Sequence, residues 1–234
     1  MSAINAFHDR DARFAYLACD GAVFSYLDGT VIEFTGKAFM FPEHKIVLAM
    51  TGPNFGNDIA EYARSQQSFN QHDTLRHIRD AYMVVRERLR EAAPEREVTG
   101  GNDLTLVAAI YLGGESRPAI YRMASNKNAI GDFAVDEWHE IPGVFIPGVA
   151  PDYLIARGLH IEDAVTDTRE LFRTQRKFKF ETIGGVAVGG TCTLYRVGPD
   201  GIRAWDVLQF ADRVGELPSL TESGTDILTE AAPN

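Results

Sequence analysis

Two side chains stand out by type and setting. Asp20 ends the apolar run at 14–19 in the turn dipeptide Asp20-Gly21, and Lys37 follows Gly36 immediately ahead of the apolar run at 38–41. The chain holds five lysines against eighteen arginines, so a lysine among apolar neighbours is unusual for it. Within reach of a strand-end carboxylate, such a lysine is either half of a structural ion pair or a charge tuned for proton chemistry. Residue types alone weigh toward the structural pair and leave both open. Cys19 and Cys192, the only cysteines, lie in apolar runs without metal-ligand spacing, which predicts reduced, buried thiols, no disulfide and no metal site.

The elements that must position Asp20 and Lys37 are short strands. Residues 14–52 read as four of them joined by tight turns, with Asp28-Gly29 closing one hairpin. Residues 2–8 precede the turn-like Asp9-Arg10-Asp11 and pair with the strand that ends at Asp20. A short helix is expected over 54–66 behind an Asn cap. The strongest helical pattern follows at 73–93, where Leu75, Ile78, Tyr82, Val85 and Leu89 recur at steps of three and four behind Asp73 as N-cap. Its arginines alternate with Asp80, Glu87 and Glu91, predicting a solvated face with local ion pairs, and His72 and His77 read as surface residues. Residues 103–112 and 118–123 form a hairpin through Gly113-Gly114. Residues 131–147 read as strand interrupted by Pro142, then a short helix follows Gly148 and a long one spans 160–178. The last strands flank Gly198-Pro199-Asp200-Gly201.

The order of these features resembles the proteasome-type N-terminal nucleophile (Ntn) hydrolases. The residues that carry it are a hydroxyl residue at the start of the chain, an Asp after the second strand, Gly36-Lys37, the strand ending Thr51-Gly52, and the segment VGGTCTLYRV at 188–197. The resemblance spans about residues 2–205. It implies an α+β fold, a four-layer αββα sandwich with two antiparallel sheets between helix layers. It also implies a site of Ser2 as nucleophile once Met1 is removed, its α-amine as general base, Asp20 and Lys37 as electrostatic support and the Gly52 backbone N–H as oxyanion donor. No cofactor is implied. The substrate would be a peptide or amide bond, and stacking of the fold implies a homo-oligomer. The family's supporting side chains are replaced here: Val149 stands in its Gly-Ser-Gly, and Gly185 and Val188 stand where it has an aspartate and a serine. The alternative expectation is therefore a catalytically inactive structural or assembly subunit.

With 234 residues and 45% hydrophobic content the chain suits a single domain, expected over 1–214, followed by a flexible acidic tail at 215–234. Net charge is 23 − 33 = −10 and the arginines are scattered, which argues against nucleic acid as a partner. No window approaches the length of a membrane span, and the charged first residues lack a secretory apolar core, so a cytoplasmic protein without membrane contact is expected.

Overall fold

The computed structural model describes residues 3–25, 28–99, 102–127, 131–177 and 188–231. A six-stranded antiparallel sheet has the order β10-β1-β2-β11-β12-β13, formed by β1 (Ile4–His8), β2 (Ala15–Cys19), β10 (Val144–Ile146), β11 (Thr191–Gly198), β12 (Gly201–Gln209) and β13 (Thr225–Glu230). A five-stranded antiparallel sheet follows chain order: β5 (Ala38–Phe41), β6 (Ile46–Thr51), β7 (Thr105–Leu112), β8 (Arg117–Ala124) and β9 (His139–Ile141). Between β2 and β5 the chain pairs with itself as β3 (Ala22–Phe24) and β4 (Val31–Phe34).

Strand alternation explains the cores. In β7, Leu106, Ala108 and Ile110 point to one side, where they meet Ile59, Ala63, Ile78 and Tyr82 of α1 (Gly56–Ser65) and α2 (Gln71–Ala92). Val107 and Ala109 point to the other side, packing with Ile4, Ala6, Leu17 and Cys19 of the six-stranded sheet. A third core lies behind that sheet, where Ala18, Leu194 and Leu208 meet Leu154 of α4 (Asp152–Ala156) and Leu171 and Phe172 of α5 (Ala164–Arg176). Helix α3 (Pro94–Thr99) continues past α2. Each fully buried Leu or Phe here is worth about 1.5–3 kcal/mol relative to exposure, which is why both faces of the central strands had to be apolar.

The mixed α/β expectation holds, and the four-layer scheme is too regular. Among the described residues there are three sheets and five helices, because the crossing from one large sheet to the other forms its own hairpin and α4 has only five residues. The stretch 14–52 accordingly holds five strands, not four. Pro142 does more than interrupt a strand: β9 pairs with β8 and β10 pairs with β1, so the break hands the chain from one sheet to the other. The N-cap of α2 is Asn70, whose side chain accepts from the Asp73 amide at 3.0 Å, and α1 starts at Phe55 without a side-chain cap bond. Arg79 and Arg86 are not part of a solvated face, since both reach the loop at Asp136. Part of the expected tail is built into the fold, β13 pairing with β12 as an exposed outer strand.

Candidate active site

Asp20 follows the last residue of β2, and the end of that strand points it inward. Its side chain is fully buried, and one oxygen, Oδ1, accepts from the Ala3 amide at 2.9 Å and from Lys37 Nζ at 2.8 Å. The other, Oδ2, accepts from the Gly189 amide at 3.1 Å and more weakly from Ala22 at 3.4 Å. Lys37 reaches this carboxylate from just ahead of β5, 7% exposed, with its ammonium 5.8 Å from the centre of the Phe24 ring. The site is thus held by both large sheets: Ala3, Asp20 and Gly189 belong to the six-stranded side and Lys37 to the five-stranded side.

Burial pushes the Asp20 carboxyl above its ordinary value, and the Lys37 ammonium with the Ala3 and Gly189 amides pulls it back toward the ionised form. Neighbouring Cys19 is pushed up to about 12, chiefly by burial, so its thiol is protonated and inert at neutral pH. A cavity of about 330 Å³ opens beside the pair, with Asp20, Lys37, Thr193, Tyr195 and Asp206 among its walls. An ammonium fixed in such a wall can stabilise negative charge that develops on a bound group.

Behind Asp20 lies a second buried pair that the sequence reading missed. The α5 residue Arg176, with a side chain 0% exposed, donates to both carboxylate oxygens of Asp212 and to the Val188 carbonyl. Asp212 also accepts from the Gly190 amide at 3.0 Å, and the Gly21 amide donates to the Gly189 carbonyl at 3.1 Å. A Cβ on Gly189 would come within 2.5 Å of Asp212 Oδ2, so the glycine allows the strand to lie against the carboxylate. The pairing links residues 36 apart, and no local spacing announces it.

Gly52 stands just past β6 at φ +123, where an added Cβ would meet the Asp103 carbonyl at 2.3 Å, so only glycine fits. It is not among the residues that wall the cavity. Ser2 and Gly185 lie outside the described residues. Val188 is fully buried, and Val149 is half-buried. Asp206 and its partner Thr193 also escaped the sequence reading, although a carboxylate at 206 inside the apolar strand 202–210 is a signal that could have found them. Among the described residues no three His, Cys, Asp or Glu side chains gather to hold a metal, and no helix is long and apolar enough to cross a membrane.

The chain thus places a buried lysine–aspartate pair at a cavity between two antiparallel sheets with helices packed behind each, and this arrangement is similar in fold to solved structures. Solved structures similar to the chain include an Anbu mutant from Hyphomicrobium sp. strain MC1, at 16% identity and TM-score 0.56, covering 91% of this chain and 89% of that one. Anbu (ancestral beta-subunit) from Yersinia bercovieri is similar at 11% identity and TM-score 0.57, covering 84% and 81%. No family model and no curated protein matches the chain. Membership in the proteasome-type family, expected from the sequence motifs, is therefore corrected: likeness at this identity reaches the fold and goes no further.

Proposed function

We propose that the chain is an amide hydrolase that cleaves peptide or amide bonds through Ser2, made N-terminal by removal of Met1. The observation that supports this reading is the buried Lys37–Asp20 pair on the wall of a cavity, with Asp20 bonded to the amide of Ala3, the residue that follows Ser2 in the chain. In the proposed reaction the Ser2 α-amine takes the hydroxyl proton as Oγ attacks the carbonyl carbon, and returns it to the leaving amine as the C–N bond breaks. Water then hydrolyses the ester. Lys37 balances the charge on Oγ, Asp20 orients Lys37, and the Gly52 N–H donates to the oxyanion. We place the enzyme in the cytoplasm as a homo-oligomer, the assembly being supported by the likeness in fold to an ancestral beta-subunit. Its two facing sheets with flanking helices are taken as an elaborated four-layer sandwich, with residues 1–214 as one domain.

The second reading, a catalytically inactive structural or assembly subunit, is favoured by Val188, an apolar side chain fully buried beside Gly189 where a hydroxyl was expected. Intact-mass measurement followed by hydrolysis of fluorogenic peptide amides decides between them. The hydrolase reading expects loss of Met1, turnover by the wild type, none by Ser2→Ala and retained turnover in Ser2→Thr. Retained Met1, or turnover indifferent to Ser2→Ala, leaves the structural subunit as the survivor.

A further inference from the structure

The cavity beside Lys37 carries more negative than positive charge. Its ionisable walls, apart from the buried thiol and phenol of Cys19 and Tyr195, are Asp20, Asp206 and Lys37, two acids and one base, for a net charge of −1. Lys37 is held at 2.8 Å by Asp20, which leaves Asp206 as the carboxylate in excess. Asp206 and Thr193 are cross-strand partners on β12 and β11, and the Thr193 hydroxyl donates to Asp206 Oδ1 at 2.7 Å. Among the described residues no cation pairs with Asp206, and its Oδ2 has no hydrogen-bond partner. The half-buried carboxylate lines the cavity and keeps acceptor capacity for a donor that enters it.

Size and wall chemistry restrict what that donor can be. A cavity of about 330 Å³ lies at the small end of ligand sites, enough for one long side chain and too little for several residues of a peptide. Tyr195, 3% exposed, and Phe34, partly exposed at 46%, supply aromatic surface in the same wall, against which an aliphatic stem can lie while its charged head reaches Asp206. Aromatic faces also favour a cation directly. An acidic side chain would meet Asp206 without compensation, in surroundings where like charges are poorly screened.

We propose that this cavity is a subsite for a basic side chain, that the cleaved amides carry Lys or Arg there, and that Asp206 is the specificity-determining residue. The proposal rests on the hydrolase reading for its catalytic consequence and on the cavity alone for its binding consequence. Fluorogenic amides with Arg, Leu or Glu at the cleaved residue supply one readout. The expected result is an Arg-over-Leu ratio in kcat/KM of about tenfold to a hundredfold, the worth of a hydrogen bond to a charged group, falling toward unity in Asp206→Asn. Asp206→Lys should move the preference toward Glu, and circular dichroism checks that each variant is folded. Titration of argininamide into wild type, Ser2→Ala and Asp206→Asn, followed by calorimetry, supplies the second readout. Binding to the first two and loss in the third supports the subsite even where no amide is hydrolysed, an outcome that removes the hydrolase reading alone. Hydrolysis whose Arg preference survives Asp206→Asn, argininamide binding equal in wild type and Asp206→Asn, or no argininamide binding at all overturns the subsite.

Discussion

Replacing Lys37 by methionine keeps the volume of the side chain and deletes its charge, so it isolates what the buried pair contributes. Asp20 is then left fully buried, still accepting from the amides of Ala3 and Gly189 but without its cation. Breaking a buried pair by removing one partner costs about 3–5 kcal/mol, and the surviving backbone donors place this case near 3 kcal/mol. For a chain of this size that lowers Tm by roughly 6–12 °C. The cost depends on pH, because the carboxyl can take a proton instead. Asp20 is already pushed above its ordinary 3.8 by burial, and losing Lys37 pushes it further in the same direction. A group raised in the folded state contributes stability that is present at low pH and is lost as pH rises through its folded value. The variant can hold the proton at pH 5 and so escapes part of the cost, which it carries more fully at pH 8. Urea denaturation of wild type and Lys37→Met should therefore show a wider gap at pH 8 than at pH 5. An equal gap at both values, or one below about 1 kcal/mol at pH 8, refutes the claim that Asp20 is a buried carboxylate stabilised by Lys37.

Asp212→Asn removes the close counter-charge of buried Arg176, leaving only the longer contact to Glu222, and should lower stability by about 3 kcal/mol in chemical denaturation, while Glu222→Gln, whose contact is 3.5 Å and more exposed, should cost under about 1 kcal/mol. Gly52→Ala meets both a left-handed backbone and the Asp103 carbonyl, so a thermal melt should show a loss of more than about 1 kcal/mol, where an exposed glycine such as Gly114, with nothing near its Cβ position, tolerates alanine. Cys19 and Cys192 should resist a thiol reagent at pH 8 until the chain is unfolded in denaturant. Burial raises both thiols, which adds stability that persists below the ordinary thiol value of 9.0 and is lost as pH climbs above it, toward about 12 for Cys19, a loss that alkaline melts should record.

What could be read from the sequence was whatever local chemistry determines. Turn dipeptides between alternating runs located β1–β2, β7–β8 and β11–β12, and three-four spacing located α2, because those signals act within a few residues. The Asp20–Lys37 pair was legible for a related reason: a lysine is rare in this chain and stands next to an apolar strand. Contacts set by distant partners were not. Arg79 and Arg86 looked like a solvated face until Asp136, 57 and 50 residues further on, came into reach. The Thr225–Glu230 strand looks like a polar tail because an exposed outer strand needs no apolar face, only a neighbour with free backbone groups. Asp206 owes its place in the cavity to its register opposite Thr193, which a one-residue slip would have turned to the other face of the sheet.

The same distinction bears on how the site is held. The resemblance implies polar side chains around Gly189-Gly190 that orient the catalytic groups, and this chain has Gly185 and Val188 instead. At Val188 the structure supplies no hydroxyl. It supplies an alternative route, in which Arg176 grips the Val188 carbonyl and the Asp212 carboxylate, Asp212 fixes the Gly190 amide, and the Gly189 amide in turn holds Asp20 Oδ2. Every link in that route is a backbone group or a buried ion pair, so the position of Asp20 depends on α5 and on the segment after β12 rather than on the side chain at 188. A buried guanidinium ion-paired along its N–H edge and 4.7 Å from the Phe210 ring centre has little freedom to move. An apolar residue at 188 is thus compatible with an ordered Asp20–Lys37 pair, and its presence argues against one way of orienting the site without arguing against an oriented site.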